Sequence, residues 1–140
     1  MIKLQRSIVH GINAATKKED LHEYLQNAVM LEHSTIPPYL TAMFSLKPGV
    51  NDMIANMIRS IVVEEMLHMT IVANILIAIG GHPQINTRGF VPKYPGPLPM
   101  SIGGADFTVG IEAFSKELVQ NTFMKIEEPE EPIPIKTKLL

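Results

Sequence analysis

The chain has 140 residues, of which 46% are hydrophobic and 19% charged, with a formal net charge of -2 and no cysteine. This length predicts one domain over residues 1–140, and the composition excludes general disorder. The small net charge gives no sign of a nucleic-acid or membrane-surface partner. Because cysteine is absent, disulfides and thiolate ligands are excluded, and any metal site must use carboxylates and imidazoles.

The first twenty residues contain no long apolar segment with a cleavage site, so no signal peptide is expected. The longest run without a formal charge, residues 66–87, is interrupted by His68, Asn74 and the pair Gly80-Gly81. These interruptions argue against a transmembrane span. We therefore expect a soluble, cytoplasmic protein with no membrane partner.

The first helical pattern follows a lead-in over residues 1–17 and begins near Thr16 or Asp20, either of which could cap it. Pro37-Pro38 lies inside the pattern and predicts a kink or a break near residues 34–36. Because the apolar pattern resumes after the prolines, a kinked helix is favoured over two separate elements. The inward positions are spaced four and three residues apart, as on one helix face: Leu21, Leu25, Ala28, Glu32, Thr35, Tyr39 and Ala42.

A second helix is predicted after Lys47-Pro48-Gly49, and Gly80-Gly81 with Pro83 ends it. Much of its remaining surface is apolar too, so we expect it to be contacted on more than one side. Its inward positions show the same spacing of four and three residues: Ile54, Ile58, Ile61, Glu65, His68, Val72, Ile75 and Ile79.

Residues 82–105 are rich in proline and glycine, which predicts an irregular crossover rather than a helix. A shorter third helix is predicted from Ser115 to about Glu128, before the prolines of the C-terminal segment. The core then covers about residues 18–128, and residues 129–140 are predicted to be extended. The predicted fold class is all-α, with a long antiparallel helix hairpin, a crossover and a third helix.

Glu65 and His68 lie on the inward face of the second helix, in a segment that is otherwise almost free of charge, and Glu32 occupies the matching line on the first helix. A buried carboxylate without a partner is costly. Side chains at positions i and i+3 of a helix can bind the same ion. A bound cation would therefore satisfy all three residues, and this thiolate-free set favours iron or manganese over structural zinc.

A single E-x-x-H is a weak signal, and a hydrogen-bonded Glu–His network in the core is the competing interpretation. Glu64 and His33 are interpreted as surface residues or as neighbours of the ligands, and Tyr39 as a possible hydrogen-bond donor to the site. No catalytic residue and no site for an organic cofactor can be assigned. The remaining histidines are expected to be exposed: His10, His22 and His82.

The stretches LEHSTIPPYLTAMFSLKPG, IVVEEMLHMTIVANILIAIGG and YPGPLP, with FMKIEEPE further on, resemble the ferritin-like domain family that includes iminophenyl-pyruvate dimer synthase. The resemblance covers about residues 18–130. It implies a ferritin-like bundle in which Glu32, Glu65 and His68 form the first half of a carboxylate-bridged di-metal site, with Glu127 as the carboxylate of the third helix. It also implies a di-iron oxidoreductase, with manganese as the alternative metal, that acts on a small molecule.

The sequence departs from this pattern in one respect. A ferritin-like site takes a Glu and an E-x-x-H from each half of a four-helix bundle, whereas we interpret Glu65-x-x-His68 as the single E-x-x-H of this chain. Three explanations remain: a truncated family member, a homodimer whose second chain supplies the missing half, or an incomplete site. A non-catalytic metal-binding or iron-storage module, and a structural helical protein with a polar core, remain as alternative functions.

Overall fold

The computed structural model describes residues 5–104 and 106–128, so the predicted extended tail, residues 129–140, lies outside the described residues. Two-residue strands β1 (Gly96–Pro97) and β2 (Thr108–Val109) pair antiparallel. Short 3-10 turns lie at Lys18–Leu21 and Pro99–Ser101, and a π-helical turn lies at Val119–Phe123. The α-helices are α1 (Arg6–Asn13), α2 (His22–Phe44), α3 (Asp52–Ala78), α4 (Lys116–Leu118) and α5 (Met124–Glu127).

The hairpin of α2 and α3 confirms the all-α prediction and forms the centre of the fold. The carboxylate of Asp20 accepts hydrogen bonds from the backbone N–H groups of Thr16 and Lys17, at 3.1 and 3.2 Å, and so fixes the chain just before α2. The lead-in predicted over residues 1–17 is wrong in one detail, because residues Arg6–Asn13 form α1. The buried side chain of Ile8 holds this helix on the rest of the protein.

Pro37 and Pro38 lie inside α2, which is one uninterrupted helix from His22 to Phe44. A proline has no N–H, so the carbonyl of Ser34, four residues before Pro38, lacks its usual helical donor. The hydroxyl of Tyr94 donates a hydrogen bond to this carbonyl at 2.7 Å. The prolines are therefore tolerated in part because the crossover supplies a donor, and the same bond fixes the crossover on α2.

The third helical segment begins where the sequence predicts, with the Ser115 hydroxyl accepting a hydrogen bond from the Leu118 N–H at 2.9 Å. The π-helical turn between α4 and α5 is not predicted by the sequence pattern. This segment closes the hydrophobic core between α2 and α3, where the ring centroids of Tyr39 and Phe123 are 4.4 Å apart. The buried core cluster contains Ile36, Tyr39, Ala42, Ile58, Val62, Leu118 and Phe123.

The expectation that α3 is contacted on more than one side is wrong for most of its length. Ile75, predicted to face inward, is 45% exposed, whereas its neighbour Leu76 is 1% exposed. By length and composition alone, α3 is long and apolar enough to cross a membrane, but the core helix of a soluble protein meets the same criteria. Only 17% of the most apolar window of α3 is buried. The described part of the protein thus leaves a broad apolar surface open on α3.

Candidate metal site

A cavity of about 230 Å³ lies between α2, α3, the crossover and the end of α5. Glu32, Glu65 and His68 line it, and one potential ligand atom from each of them lies within 4.8 Å of the other two. The helix hairpin brings these three residues together as the sequence predicts. The cavity walls are completed by Leu31, Thr35, Leu98, Ile102, Ile126 and Glu127.

Glu65 is buried, and its carboxyl group faces two other acids across the cavity. Burial raises the pKa of Glu65 to about 7, and the nearby charges of Glu32 and Glu127 act in the same direction. Thr35 opposes this shift, because its hydroxyl lies 2.7 Å from Glu65 Oε2 and can donate a hydrogen bond to the charged form. The carboxyl is therefore positioned by a hydroxyl and is easily protonated when no cation is bound.

Glu32 behaves similarly at the half-buried wall of the cavity. Burial raises its pKa, a hydrogen bond with Glu65 acts against this shift, and the charge of Glu127 adds to it. Two carboxyls that share a hydrogen bond share a proton as well, so they titrate as a pair. His68 Nδ1 lies 3.6 Å from Glu32 Oε2, and its side chain is 51% exposed. The place of His68 on the inward face predicted a position in the core. This prediction is wrong, because His68 stands at the open edge of the cavity.

Glu127 lines the same cavity but stands outside the group of three ligand atoms. The Tyr39 hydroxyl donates a hydrogen bond of 2.6 Å to Glu127 Oε1. Tyr39 is completely buried, and burial together with the negative charge of Glu127 raises its pKa far above the usual range. Tyr39 therefore remains protonated and acts as a fixed donor that holds Glu127 at the cavity.

A family model described as Ferritin-like matches residues 25–139, which is most of the chain. The chain belongs to the ferritin-like family. Comparisons with curated proteins and with solved structures find no match. The assignment to this family thus rests on the match to the family model. The helical fold and the position of the three ligand atoms on facing helices agree with it.

The donor set of this ferritin-like chain fits a metal cation. Within residues 5–104 and 106–128, no Lys or Arg nitrogen lies within 4.0 Å of the Glu32 or Glu65 carboxylates. Two acids with raised pKa values and no neutralising side chain would be stabilised by a cation in the cavity. Two carboxylates and one imidazole suit iron or manganese better than a structural zinc ion. Metal ligation by Glu32, Glu65, His68 and Glu127 stays a prediction.

Some residues near the site were not recognised from the sequence. Thr35 lies on the same inward face as Glu32 and Tyr39, and this position is the one signal that could have identified it. Leu98 and Ile102 belong to the irregular crossover, where no periodicity shows which side chains turn inward. Both are almost fully buried and close the cavity opposite the helices.

The other histidines lie away from the three ligand atoms. His10 and His82 are exposed, as predicted. The prediction for His22 is wrong, because it is half-buried and its Nε2 lies 3.2 Å from the carbonyl of Ile79. The interpretation of a single E-x-x-H is also wrong, because Glu19 and His22 form a second one. Its imidazole makes this contact with Ile79 and does not belong to the group of three ligand atoms. His33 packs against Phe90, with ring centroids 4.7 Å apart.

Proposed function

We propose that this ferritin-like protein binds a carboxylate-bridged pair of metal ions, iron or manganese, and acts as an oxidoreductase on a small molecule. The observation that carries this proposal is the group of Glu32, Glu65 and His68, whose ligand atoms meet at a cavity. Among the described residues, no Lys or Arg side chain neutralises the two carboxylates there. A bound metal pair would supply redox chemistry and open coordination positions for a substrate. The resemblance of EHSTIPPYL and EEMLHM to iminophenyl-pyruvate dimer synthase supports oxidative coupling as the finer reaction class.

The residues of the chain have separable roles in this proposal. Glu32 would hold the metal from α2 as the bridging carboxylate, and Glu65 and His68 would hold it from α3. Thr35 donates its hydrogen bond to the charged form of Glu65 and fixes the direction of its carboxylate. Tyr39 holds Glu127 at the cavity as a further oxygen ligand. These contacts keep the oxygen donors oriented before a metal arrives.

The crossover contributes by excluding water from one side of the cavity. Leu98 is 3% exposed and Ile102 is 2% exposed, and both contact the cavity with apolar side chains. An apolar wall strengthens electrostatic interactions inside the site and shapes the space left for a substrate. This arrangement supports a small organic molecule rather than a large metal core as the substrate.

Metal analysis tests the proposal directly. Protein purified without chelator is titrated with Fe(II) under anaerobic conditions and with Mn(II), beside the variants Glu65→Ala and His68→Ala. We expect each variant to lose at least about a hundredfold in metal affinity, because each removes a direct ligand and second-layer changes alone cost 10–100-fold. The exposed residues Glu23 and His82 provide matched control variants, Glu23→Ala and His82→Ala. Unchanged metal content in both site variants would exclude the site.

Stoichiometry and oxygen consumption separate the alternative functions. Iron binding far above two ions per site would favour storage, whereas oxygen consumption that depends on a candidate substrate would favour catalysis. A structural protein with a polar core would bind neither metal, and the contacts of Glu65 with Thr35 and of His68 with Glu32 would then serve folding alone.

A further inference from the structure

The open side of α3 carries a regular row of side chains, called the outer stripe below. Three of its four apolar members are exposed, at 63% for Met57, 46% for Ile71 and 45% for Ile75, whereas Ile61 is half-buried and packs against the core cluster. The spacing of four and three residues is the spacing by which two helices pack along each other. The outer stripe consists of Met57, Ile61, Glu64, His68, Ile71 and Ile75.

The outer stripe is continuous with the candidate metal site, because His68 belongs to both. His68 contributes one of the three ligand atoms, yet its side chain is 51% exposed toward this side. The apolar surface and the open edge of the site therefore face the same way.

The outer stripe has a symmetry that selects its partner. When two copies of it are laid antiparallel about the midpoint between Glu64 and His68, Met57 meets Ile75 and Ile61 meets Ile71. The two polar members then meet each other, because Glu64 of each copy lies opposite His68 of the other. Parallel pairing would place Glu64 against Glu64 and His68 against His68, which brings like charges together.

We propose that the outer stripe docks antiparallel on the outer stripe of a second copy of this chain, with Glu64 of each copy facing His68 of the other. Such an interface is two-fold symmetric and self-complementary. The contact from Met57 to Ile75 covers 18 residue steps, or about 27 Å of helix. Two α2–α3 hairpins would then form a four-helix arrangement around two candidate sites.

The proposed dimer also gives Glu64 a role. Within the chain it is an exposed acid in the middle of an apolar row. In the dimer its carboxylate accepts a hydrogen bond from the second copy's His68 imidazole, which fixes the ring orientation for a metal ligand. This last step rests on the proposed function, whereas the docking itself does not. A lipid surface is disfavoured as the occupant, because Glu64 and His68 lie at the centre of the stripe.

Cysteine pairing tests the geometry, and the chain is suited to it because it contains no cysteine. Met57→Cys and Ile75→Cys proteins are prepared separately, mixed in chelator and exposed to mild oxidation. We expect a disulfide-linked heterodimer in the mixture and little linkage in either protein alone. Val63→Cys mixed with Ile77→Cys is the matched control, since both residues are exposed on α3 but lie off the stripe. Light scattering of the wild-type protein in chelator should give about twice the chain mass of 15.5 kDa.

The stripe is broken by Ile71→Asp, which we expect to yield a monomer with unchanged far-UV circular dichroism, whereas Ile77→Asp stays dimeric. A wild-type monomer at about 50 µM, or linkage of Met57→Cys with itself, would overturn the proposal. A monomer that floats with phosphatidylcholine–phosphatidylglycerol vesicles would overturn it in favour of a membrane. Because the dimer assays use chelator, their result does not depend on metal binding. A protein that dimerises here but takes up no metal in the separate titration would refute only the proposed function, and a monomer that binds metal in that titration would refute only the dimer.

Discussion

The two long helices of this protein are both rich in apolar residues, but their surroundings differ. On α2, Glu23 and Phe44 are the only exposed residues, and the rest of the helix is covered by neighbouring segments. On α3, large apolar side chains such as Met57 and Ile77 are more than half exposed. Apolar content therefore does not decide burial by itself. Among the described residues, what differs is how many segments pack on each helix.

The polar bonds of the structure explain why the chain returns to α2. The crossover is bound through Tyr94 to the Ser34 carbonyl, and the third helical segment through Glu127 to the Tyr39 hydroxyl. Both contacts use polar groups on α2 near the cavity. The candidate site is therefore held by polar contacts on its α2 side, where Glu32 and Thr35 lie, and open on its α3 side, where the His68 side chain is 51% exposed.

The largest expected effect contrasts two successive residues of α3. Leu76 is 1% exposed and Ile77 is 56% exposed. We expect Leu76→Ala to lower the free energy of unfolding by about 3 kcal/mol, because it leaves a cavity in the core. Ile77→Ala should change it by less than about 0.5 kcal/mol, since most of its side chain already contacts water. Urea unfolding in chelator measures both.

Both variants replace a branched aliphatic residue of the same helix with alanine. The difference in helix propensity between Leu and Ile is too small to explain a contrast of this size in the free energy of unfolding. Equal losses in both would show that the outer side of α3 is packed in solution and would remove the contrast between the helices.

The second prediction concerns pH and the inner side of α3. The pKa of Glu65 is raised from 4.5 to about 7 in the folded protein, so the folded state holds a proton that the unfolded state has released between these values. Stability from this group is complete below about pH 4.5 and is lost as the pH rises to about 7. In chelator, we expect the free energy of unfolding to fall by about 2 kcal/mol between pH 4.5 and 7.5.

Glu65→Gln provides the control, because a neutral amide replaces the protonated acid and should flatten this dependence. Added metal should reverse the slope, since a metal binds the charged carboxylate and its affinity rises with pH. A wild-type stability that rises from pH 4.5 to 7.5 in chelator would show that Glu65 is solvated and not enclosed.

Much of the hairpin could be predicted from the sequence, because its information is local and periodic. The positions of Glu32, Glu65 and His68 on two apolar helix faces were enough to predict that these residues lie close together across the hairpin. Ser115 and Gly80 marked helix ends through their capping chemistry. Such signals depend on neighbours within a few residues, which a sequence displays directly.

The remaining features depend on contacts between distant segments. Pro37-Pro38 predicted a kink or a break in α2, but the hydroxyl that binds the freed Ser34 carbonyl comes from Tyr94, 60 residues later. The inward turn of Leu98 and Ile102 is not periodic, and one side of α3 is open because no segment within residues 5–104 and 106–128 covers it. Periodicity therefore identified which faces of the helices are apolar but not which of those faces are covered.

The smallest predicted effect compares two threonines on the two sides of the hairpin. The Thr35 hydroxyl lies 2.7 Å from Glu65 Oε2 inside the cavity, whereas the exposed Thr70 hydroxyl donates to the carbonyl of Met66 at 2.9 Å on the outer side of α3. We expect Thr35→Val to lower metal affinity about tenfold, because the carboxylate loses the donor that orients it. Thr70→Val makes the same chemical change away from the cavity and should leave metal affinity unaltered. Titration with Mn(II) followed by electron paramagnetic resonance measures both, and equal affinities would show that the position of Glu65 does not depend on Thr35.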